Sequence, residues 1–488
     1  MKRHIVILLL LTLVVQGWMF VSYPMGGVDD NQSGQRFLID RLVSGDLLIG
    51  NLRFNTGYPL VIAPVVAVSR MFPRIDDRIL LLVQVGLSAT IPFLVYDIIR
   101  RRRTPNEAFI VALFVLLDPF GLQWSHFSLP EWLIAFLLVA ALWLLNYALL
   151  TKRRLLLYTL LSGLLLGIAV LARVNFAPVV AALGLMFFAI TSISFWKRFQ
   201  MFFILGVSSL AVLFLYLVLI QYPSTGTFRL SCIGSLSLNE GLDVNDIPLQ
   251  ATDGPASQEY LRLTSMSVPE HALFLSDTYP RWSMSGAWAS PEEQALFLEQ
   301  GFTGENLPFA NRFDLIYYMG ACPTDDLLRD VYFERIRRYP LEWLSRGLKD
   351  TLLILIQSTE ENPTLYLPTY DSLVRNTNES FLGFERVEGD FYTGQWVWTP
   401  GIWLYSTIFH IWNAIKWLTP IALVWALLSR NWFYATCAVL LLAVAGIMPL
   451  MKAPEARLYS QVYPLWTILL GGMLASFIKW ARKPRLQQ

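Results

Sequence analysis

Residues 57–72 read GYPLVIAPVVAVSRMF, a stretch apolar enough to pass for a membrane span. The whole topology turns on whether it is one. Counted as a span, it inverts every later segment and carries the four consecutive arginines Arg100–Arg103 to the outer side. The stretch is short, holds Pro59 and Pro64, and ends on a charge at Arg70. A crossing helix needs about 20 predominantly apolar residues. We therefore read 57–72 as a helix lying along the outer membrane surface.

The composition agrees with a membrane protein. Of 488 residues, 55% are hydrophobic and only 15% are charged, and the mean hydropathy is +0.48. A soluble chain of this size is less apolar. The formal net charge of +2 gives no reason to expect a nucleic-acid partner, and what carries information is where the basic residues sit. Three cysteines and four histidines, without a CxxC or HExxH arrangement, form no zinc or redox motif.

Apolar runs near 5–22, 79–99, 106–124, 131–150, 155–173, 175–195, 200–221, 402–428, 431–450 and 458–479 predict about ten transmembrane helices. The first follows Lys2 and Arg3 and is read as an uncleaved span, because the bulky WMFVSYP offers no small-residue cleavage site. With a cytoplasmic start, Arg100–Arg103, Lys152–Arg154, Lys197–Arg198, Arg430 and the basic tail Lys479–Arg485 all fall inside, as the positive-inside rule requires. Both termini are then cytoplasmic in a multi-pass protein of the plasma or inner membrane.

Three parts are expected: an N-terminal transmembrane core (1–221) with a first external loop (23–78), an extracytoplasmic domain (222–400), and C-terminal transmembrane helices (401–488). Within the external part, TFRLSCIGSLSL (227–238) has strand-like pieces, and the segment from Asp326 has apolar residues at helical spacing. These predict a small α+β domain feeding an amphipathic helix back to the membrane. Cys232 and Cys322 both lie there, in a compartment where disulfides persist. A bridge is compatible with that, but two unpaired thiols are the expectation. Asn378–Ser380 forms an NES glycosylation triplet of a kind that arises often by chance.

Polar groups converge on the outer side. Asp29 and Asp30 follow the first span, and Asp118, His126 and Glu131 flank the loop DPFGLQWSHFSLPE. Arg173 closes LARVN, and Lys452, Glu455 and Arg457 lie in MKAPEARLY. Carboxylates suit a general base or metal ligand, while cations suit a phosphate or pyrophosphate. Together they suggest a lipid-phosphate substrate. Each also has an ordinary reading: Asp29 as a solvated loop residue, Asp118 as a turn cap, His126 as packing. Glu131 could simply answer the helix dipole, and Lys452 and Arg457 could be headgroup anchors. The shared face is the signal. A transporter or flippase would instead carry internal repeats and mid-membrane charges.

The motifs, taken in order, resemble the GT-C glycosyltransferases. The branch is the one that includes protein O-mannosyltransferases and the aminoarabinose transferases of lipid A. DDNQSGQRFLIDRLVSGDLLIGN followed by GYPLVIAP is similar to their first external loop, and SLPEWLIAFLLVAALWLL to their acid-led fourth span. SGLLLGIAVLAR resembles the fifth span closed by Arg, and EARLYSQVYPLWTILLGG the last span. The resemblance covers about 1–200 and 325–480.

It implies an all-α GT-C core with about ten transmembrane helices. It implies sugar transfer from a polyprenyl monophosphate to a lipid, glycan or protein acceptor on the outer face. Counting back from Ser44–Asp46 puts the catalytic aspartate at Asp30, with Asp29 as the displaced partner because Asn31 replaces the following acid. Glu131 would help hold acceptor or sugar. Arg173, Lys452, Arg457, Glu455, His126 and Tyr58 make up the substrate-binding set, and Tyr58 and Gly57 stand where the family often has a basic residue. No cofactor is implied, although a divalent metal at Asp29 and Asp30 stays open. A non-catalytic accessory protein of the same fold is the alternative that Asn31 raises.

Overall fold

The computed structural model describes residues 2–22, 30–50, 56–72, 76–127, 129–232, 234–244, 246–264, 321–356, 374–381, 384–388, 395–429, 431–451 and 461–482. Among these residues ten α-helices lie in the N-terminal part: α1 (Lys2–Ser22), α2 (Asp30–Val43), α3 (Gly57–Ser69), α4 (Asp76–Arg100), α5 (Pro105–Leu116), α6 (Pro119–Trp124), α7 (Glu131–Thr151), α8 (Leu155–Ala172), α9 (Ala177–Met186) and α10 (Phe195–Tyr216). Through a π-turn at Leu217–Gln221 the last of these runs on into α11 (Tyr222–Thr225). Beyond lie α12 (Gly234–Val244), α13 (Pro255–Thr264), α14 (Ala321–Arg338) and α15 (Pro340–Ile356). The chain closes with α16 (Thr399–Lys416), α17 (Thr419–Leu428), α18 (Trp432–Met451) and α19 (Tyr463–Arg482).

This is a multi-pass helical membrane fold. Among the described residues six helices (α1, α4, α7, α8, α10 and α19) are long and apolar enough to cross a bilayer, and α16 with α17, bent by 56° at the break between them, passes the same test as a pair. The three other expected spans fall on shorter apolar stretches: α5, residues 174–189, and Trp432–Ile447 of α18. Thr419–Pro420 explains the bend, since proline has no N–H and clashes with the preceding turn. Exposed leucines along α1 and α10 face outward, as a lipid-facing surface requires.

The stretch 57–72 forms the 13-residue α3, about 20 Å long and too short to cross. Its buried face carries Tyr58, Pro59, Ile62 and Ala63. An added Cβ on Gly57 would lie 2.3 Å from the Ala172 backbone nitrogen, so only glycine lets the start of α3 rest on the end of α8.

Helix ends sort into two groups. At one end Arg101 stacks over Tyr147, Arg102 over Trp432, and Lys479 pairs with Glu107 at 3.1 Å. Arg100 and Arg101 both reach Asp97, which also accepts from Trp143. Those of the one-sided basic residues that are described thus gather at one end. At the opposite end the Trp18 indole donates to the Gly401 carbonyl, joining the end of α1 to the start of α16.

Three expectations for the segment after Gln221 need correction. TFRLSCIGSLSL does not form strands: α12 begins at Gly234 and buries Ser235, Leu236, Asn239 and Leu242. That spacing is helical, and the Leu236/Leu238 alternation is local. Among the described residues the strands lie later: β1 (Val374–Phe381), β2 (Phe384–Glu388) and β3 (Gln395–Trp398) form an antiparallel sheet in that order. The NES triplet falls on β1. Cys232 and Cys322 are bonded, not free. The single amphipathic helix is two, α14 and α15, broken at Tyr339–Pro340 because proline cannot continue the preceding ladder.

Arg335 organises this segment. It is buried, donates to the Pro248 and Ile247 carbonyls, and pairs with Asp243 at 2.8 Å. Burial lowers its pKa to about 10, so the guanidinium keeps its charge at neutral pH. Leu242, Ile247 and Tyr332 form a small hydrophobic core in the same segment.

Candidate active site

Glu131 is the first residue of α7, directly after Pro130, where helix N–H groups point out and favour an acid. Arg173 is the residue that ends α8, in an extended conformation that turns its side chain away from the helix. Antiparallel packing of α7 on α8 brings the two together. Arg173 Nη1 donates to Glu131 Oε1, with Glu131 fully buried and the Arg173 side chain 12% exposed. Gln461, buried just ahead of α19, completes the cluster: with its amide oxygen toward the guanidinium it accepts from Nε at 3.1 Å and Nη1 at 3.0 Å. An arginine held by a carboxylate and an amide has a fixed orientation, which suits recognition of a phosphate.

Beside this cluster Tyr58 lies edge-on to Trp132, with ring centroids 6.3 Å apart. Its hydroxyl donates to Gln84 Oε1 at 3.3 Å. Gln84 Nε2 in turn donates to the Ser125 and Phe127 carbonyls at 3.1 and 2.8 Å. This network fixes the 118–130 loop against α3 and α4. His126 is fully buried in it, with Nδ1 2.9 Å from the Leu122 carbonyl and 3.3 Å from Ser125 Oγ. That placement matches a packing role, and Tyr58, equally buried, braces the loop.

Asp118 caps α6, accepting from Phe120 N at 2.8 Å and Gly121 N at 3.2 Å. Its other oxygen accepts from Trp412 Nε1 at 3.1 Å. The Lys416 ammonium acts on it electrostatically and stands 3.6 Å from the centroid of the Phe120 ring. Gly121 is again a close approach: an added Cβ would meet the Tyr463 ring at 2.6 Å. The loop is thereby locked to α16 and α19.

Asp30 is the first residue of α2. From the last turn of that helix Arg41 clamps Asp46 at 2.8 and 2.5 Å, and Asp46 accepts from Leu48 N at 2.9 Å. The Arg41 guanidinium holds the Asp46 carboxyl below its usual range. Asp40 pairs with Arg70, tying α2 to the end of α3. Asp29, Lys452, Glu455 and Arg457 lie outside the described residues. Among the described residues no group of three His, Cys, Asp or Glu side chains is placed to hold a metal ion.

Sequence reasoning found Glu131 and Arg173 but missed Gln461, Gln84 and Lys416. The signal existed for two of them. A glutamine in the second span and a lysine in an apolar run are costly in hydrocarbon unless they are used.

Residues 59–220 match the family model described as dolichyl-phosphate-mannose-protein mannosyltransferase. The matched stretch holds Glu131 and Arg173 and leaves Asp30 outside. The resemblance to GT-C membrane glycosyltransferases is borne out over that stretch. No curated protein matches the chain. Among solved structures the chain is similar to the archaeal oligosaccharyltransferase AglB from Archaeoglobus fulgidus, in complex with an inhibitory peptide and a dolichol-phosphate. The identity is 14% and the TM-score 0.42, over 100% of this chain and 52% of that one. It is also similar to ArnT from Cupriavidus metallidurans bound to undecaprenyl phosphate, with 12% identity and a TM-score of 0.36, over 94% of this chain and 77% of that one. The chain spans about half the length of the archaeal enzyme.

Proposed function

We propose that this protein is a GT-C type glycosyltransferase that moves a sugar from a polyprenyl monophosphate to an acceptor on the outer face of the membrane. The observation that carries the reading is the Glu131–Arg173–Gln461 cluster. It is a positioned guanidinium at the end of the bundle opposite the basic punctuation, within the stretch matched to a family named for a lipid-phosphate sugar donor.

In this mechanism the Asp30 carboxylate takes the proton of the acceptor hydroxyl. The acceptor oxygen bonds to the anomeric carbon as the bond from that carbon to the phosphate oxygen breaks, and polyprenyl phosphate leaves. Cations aimed at the leaving phosphate stabilise the charge that develops on it. Arg173 supplies one, with Lys452 and Arg457 as further donors of positive charge. Glu131 serves by fixing Arg173 and the acceptor side of the site. The basic end faces the cytoplasm and the reacting end faces outward, in keeping with the positive-inside rule.

The test is incubation of purified protein with a panel of polyprenyl-phosphate sugars and quantification of the free lipid phosphate. Release with one sugar and not the others supports the reading and names the donor. No release with any of them, in the presence of lipid, glycan and protein acceptors, contradicts it.

A further inference from the structure

At the far end of the α7/α8 hairpin from Glu131 and Arg173, the turn Lys152–Arg154 joins the two helices. Lys152 (φ 52°) and Arg154 (φ 48°) are both left-handed, and they are two of only three such non-glycine residues among those described. The conformation is strained for any residue with a Cβ. The turn borders a half-open groove of about 530 Å³, which Lys152 and Arg154 share with Lys197 from the first turn of α10, together with Ser192, Ser194 and Gln200.

Several other cations at this end are already engaged. Arg100 and Arg101 reach Asp97, Arg102 reaches Asn146, Arg198 reaches the Phe188 carbonyl, and Lys479 reaches Glu107. Among the described residues no carboxylate pairs with Lys152, Arg154 or Lys197. The groove wall includes Leu156 and Leu157, which are exposed on the outer surface of α8, with Leu160 and Leu161 one turn further along. Phe195 and Trp196 are exposed at the start of α10, next to Lys197, and aromatic side chains favour the headgroup level.

We propose that this groove binds an anionic glycerophospholipid. Its phosphodiester sits among Lys152, Arg154 and Lys197, the serine hydroxyls and Gln200 donate to the remaining oxygens, and an acyl chain lies along the leucines of α8. Basic pockets between membrane helices are suited to such headgroups. A soluble phosphate offers the same oxyanion, but the exposed leucines and Trp196 favour the lipid. The site is separate from the proposed transfer site, so it stands or falls independently of it.

Calorimetric titration of the full chain in a non-ionic detergent separates the cases. The titrants are short-chain phosphatidylglycerol, short-chain phosphatidylcholine and inorganic phosphate. Saturable binding of phosphatidylglycerol is expected, with phosphatidylcholine and inorganic phosphate at least tenfold weaker. Each cation at an anionic surface contributes about fivefold, so Lys152→Gln/Arg154→Gln/Lys197→Gln should lose about a hundredfold. Should the triple variant fail to fold, Lys197→Gln alone should lose about fivefold, and Lys197→Arg should retain binding. Unchanged affinity in these Gln variants, equal binding of phosphatidylcholine, or equally tight inorganic phosphate would each overturn the proposal.

Discussion

Arg173, which ends α8, donates from its guanidinium to Glu131, which begins α7, and Glu131 has no solvent exposure. Two helices that are neighbours in sequence are thus joined at one end by a buried ion pair, with Gln461, just ahead of the last span, completing it. Removing one partner of such a pair leaves an uncompensated charge and costs about 3–5 kcal/mol. Glu131→Gln and Arg173→Gln should each lower the melting temperature in detergent, and the double variant should lose less than the sum. Arg173→Lys should keep part of donor binding, because the charge survives although the planar fork is lost. Strict additivity in this cycle would separate the two residues.

Gly57 rests against the Ala172 backbone, one residue before Arg173. Gly57→Ala must push α3 off the end of α8, and an overpacked backbone contact costs about 1–3 kcal/mol. Transfer activity should fall at least about tenfold although no chemical group has been removed. Wild-type activity in Gly57→Ala would show that the position of α3 does not matter to the site.

The Cys232–Cys322 bridge closes a sequence separation of 90 residues. By the chain-entropy account a loop of this length contributes about 4–5 kcal/mol. Reducing agent, or Cys322→Ser, should therefore lower the unfolding midpoint of the segment containing α12 and α14. Non-reducing electrophoresis should show faster migration of the untreated chain, and identical mobility with and without reductant would contradict the bridge.

Arg229 holds Asp326 in a two-pronged pair at 3.0 and 2.9 Å, close to that bridge. The Arg229 hydrogen bond keeps the Asp326 carboxyl below its usual value near 3.8. A lowered folded-state pKa stabilises above the unfolded value and is lost as pH falls through the folded one. The pair should therefore hold at neutral pH and fail progressively below about pH 4. Both side chains are more than a third exposed, so the contribution is under about 1 kcal/mol and weakens with salt. In Asp326→Asn the acid-dependent part of the melting curve below pH 4 should diminish; an unchanged curve would assign it to other carboxylates.

Much of the helical core was legible because membrane spans are written in composition. The Lys152–Arg154 turn lies between apolar runs that reappear as α7 and α8, and the rejected span at 57–72 reappears as the short α3. Glu131 and Arg173 were visible as charges next to apolar runs. Their pairing was not, because it depends on which helix ends meet. Gln461 was hidden for the same reason: a polar residue beside a span reads as ordinary until its neighbours are known. The strand reading of 227–238 failed where a two-residue alternation of leucines overlay a longer helical period. The disulfide was illegible because spacing alone does not say that residues 90 apart in sequence lie 4.7 Å apart at Cα.

The central claim rests on Asp30, the first residue of α2. General-base help of the kind assigned to it contributes about 10²–10⁴-fold in rate, and Asn keeps its shape while refusing the proton. The decisive measurement is turnover of Asp30→Asn on the donor that the panel identifies, read as released polyprenyl phosphate per enzyme, with donor affinity and melting temperature measured in parallel. The account predicts loss of at least about a hundredfold in turnover, with binding and melting close to wild type. Wild-type turnover in Asp30→Asn would contradict it and return Asp30 to the status of a helix-opening acid.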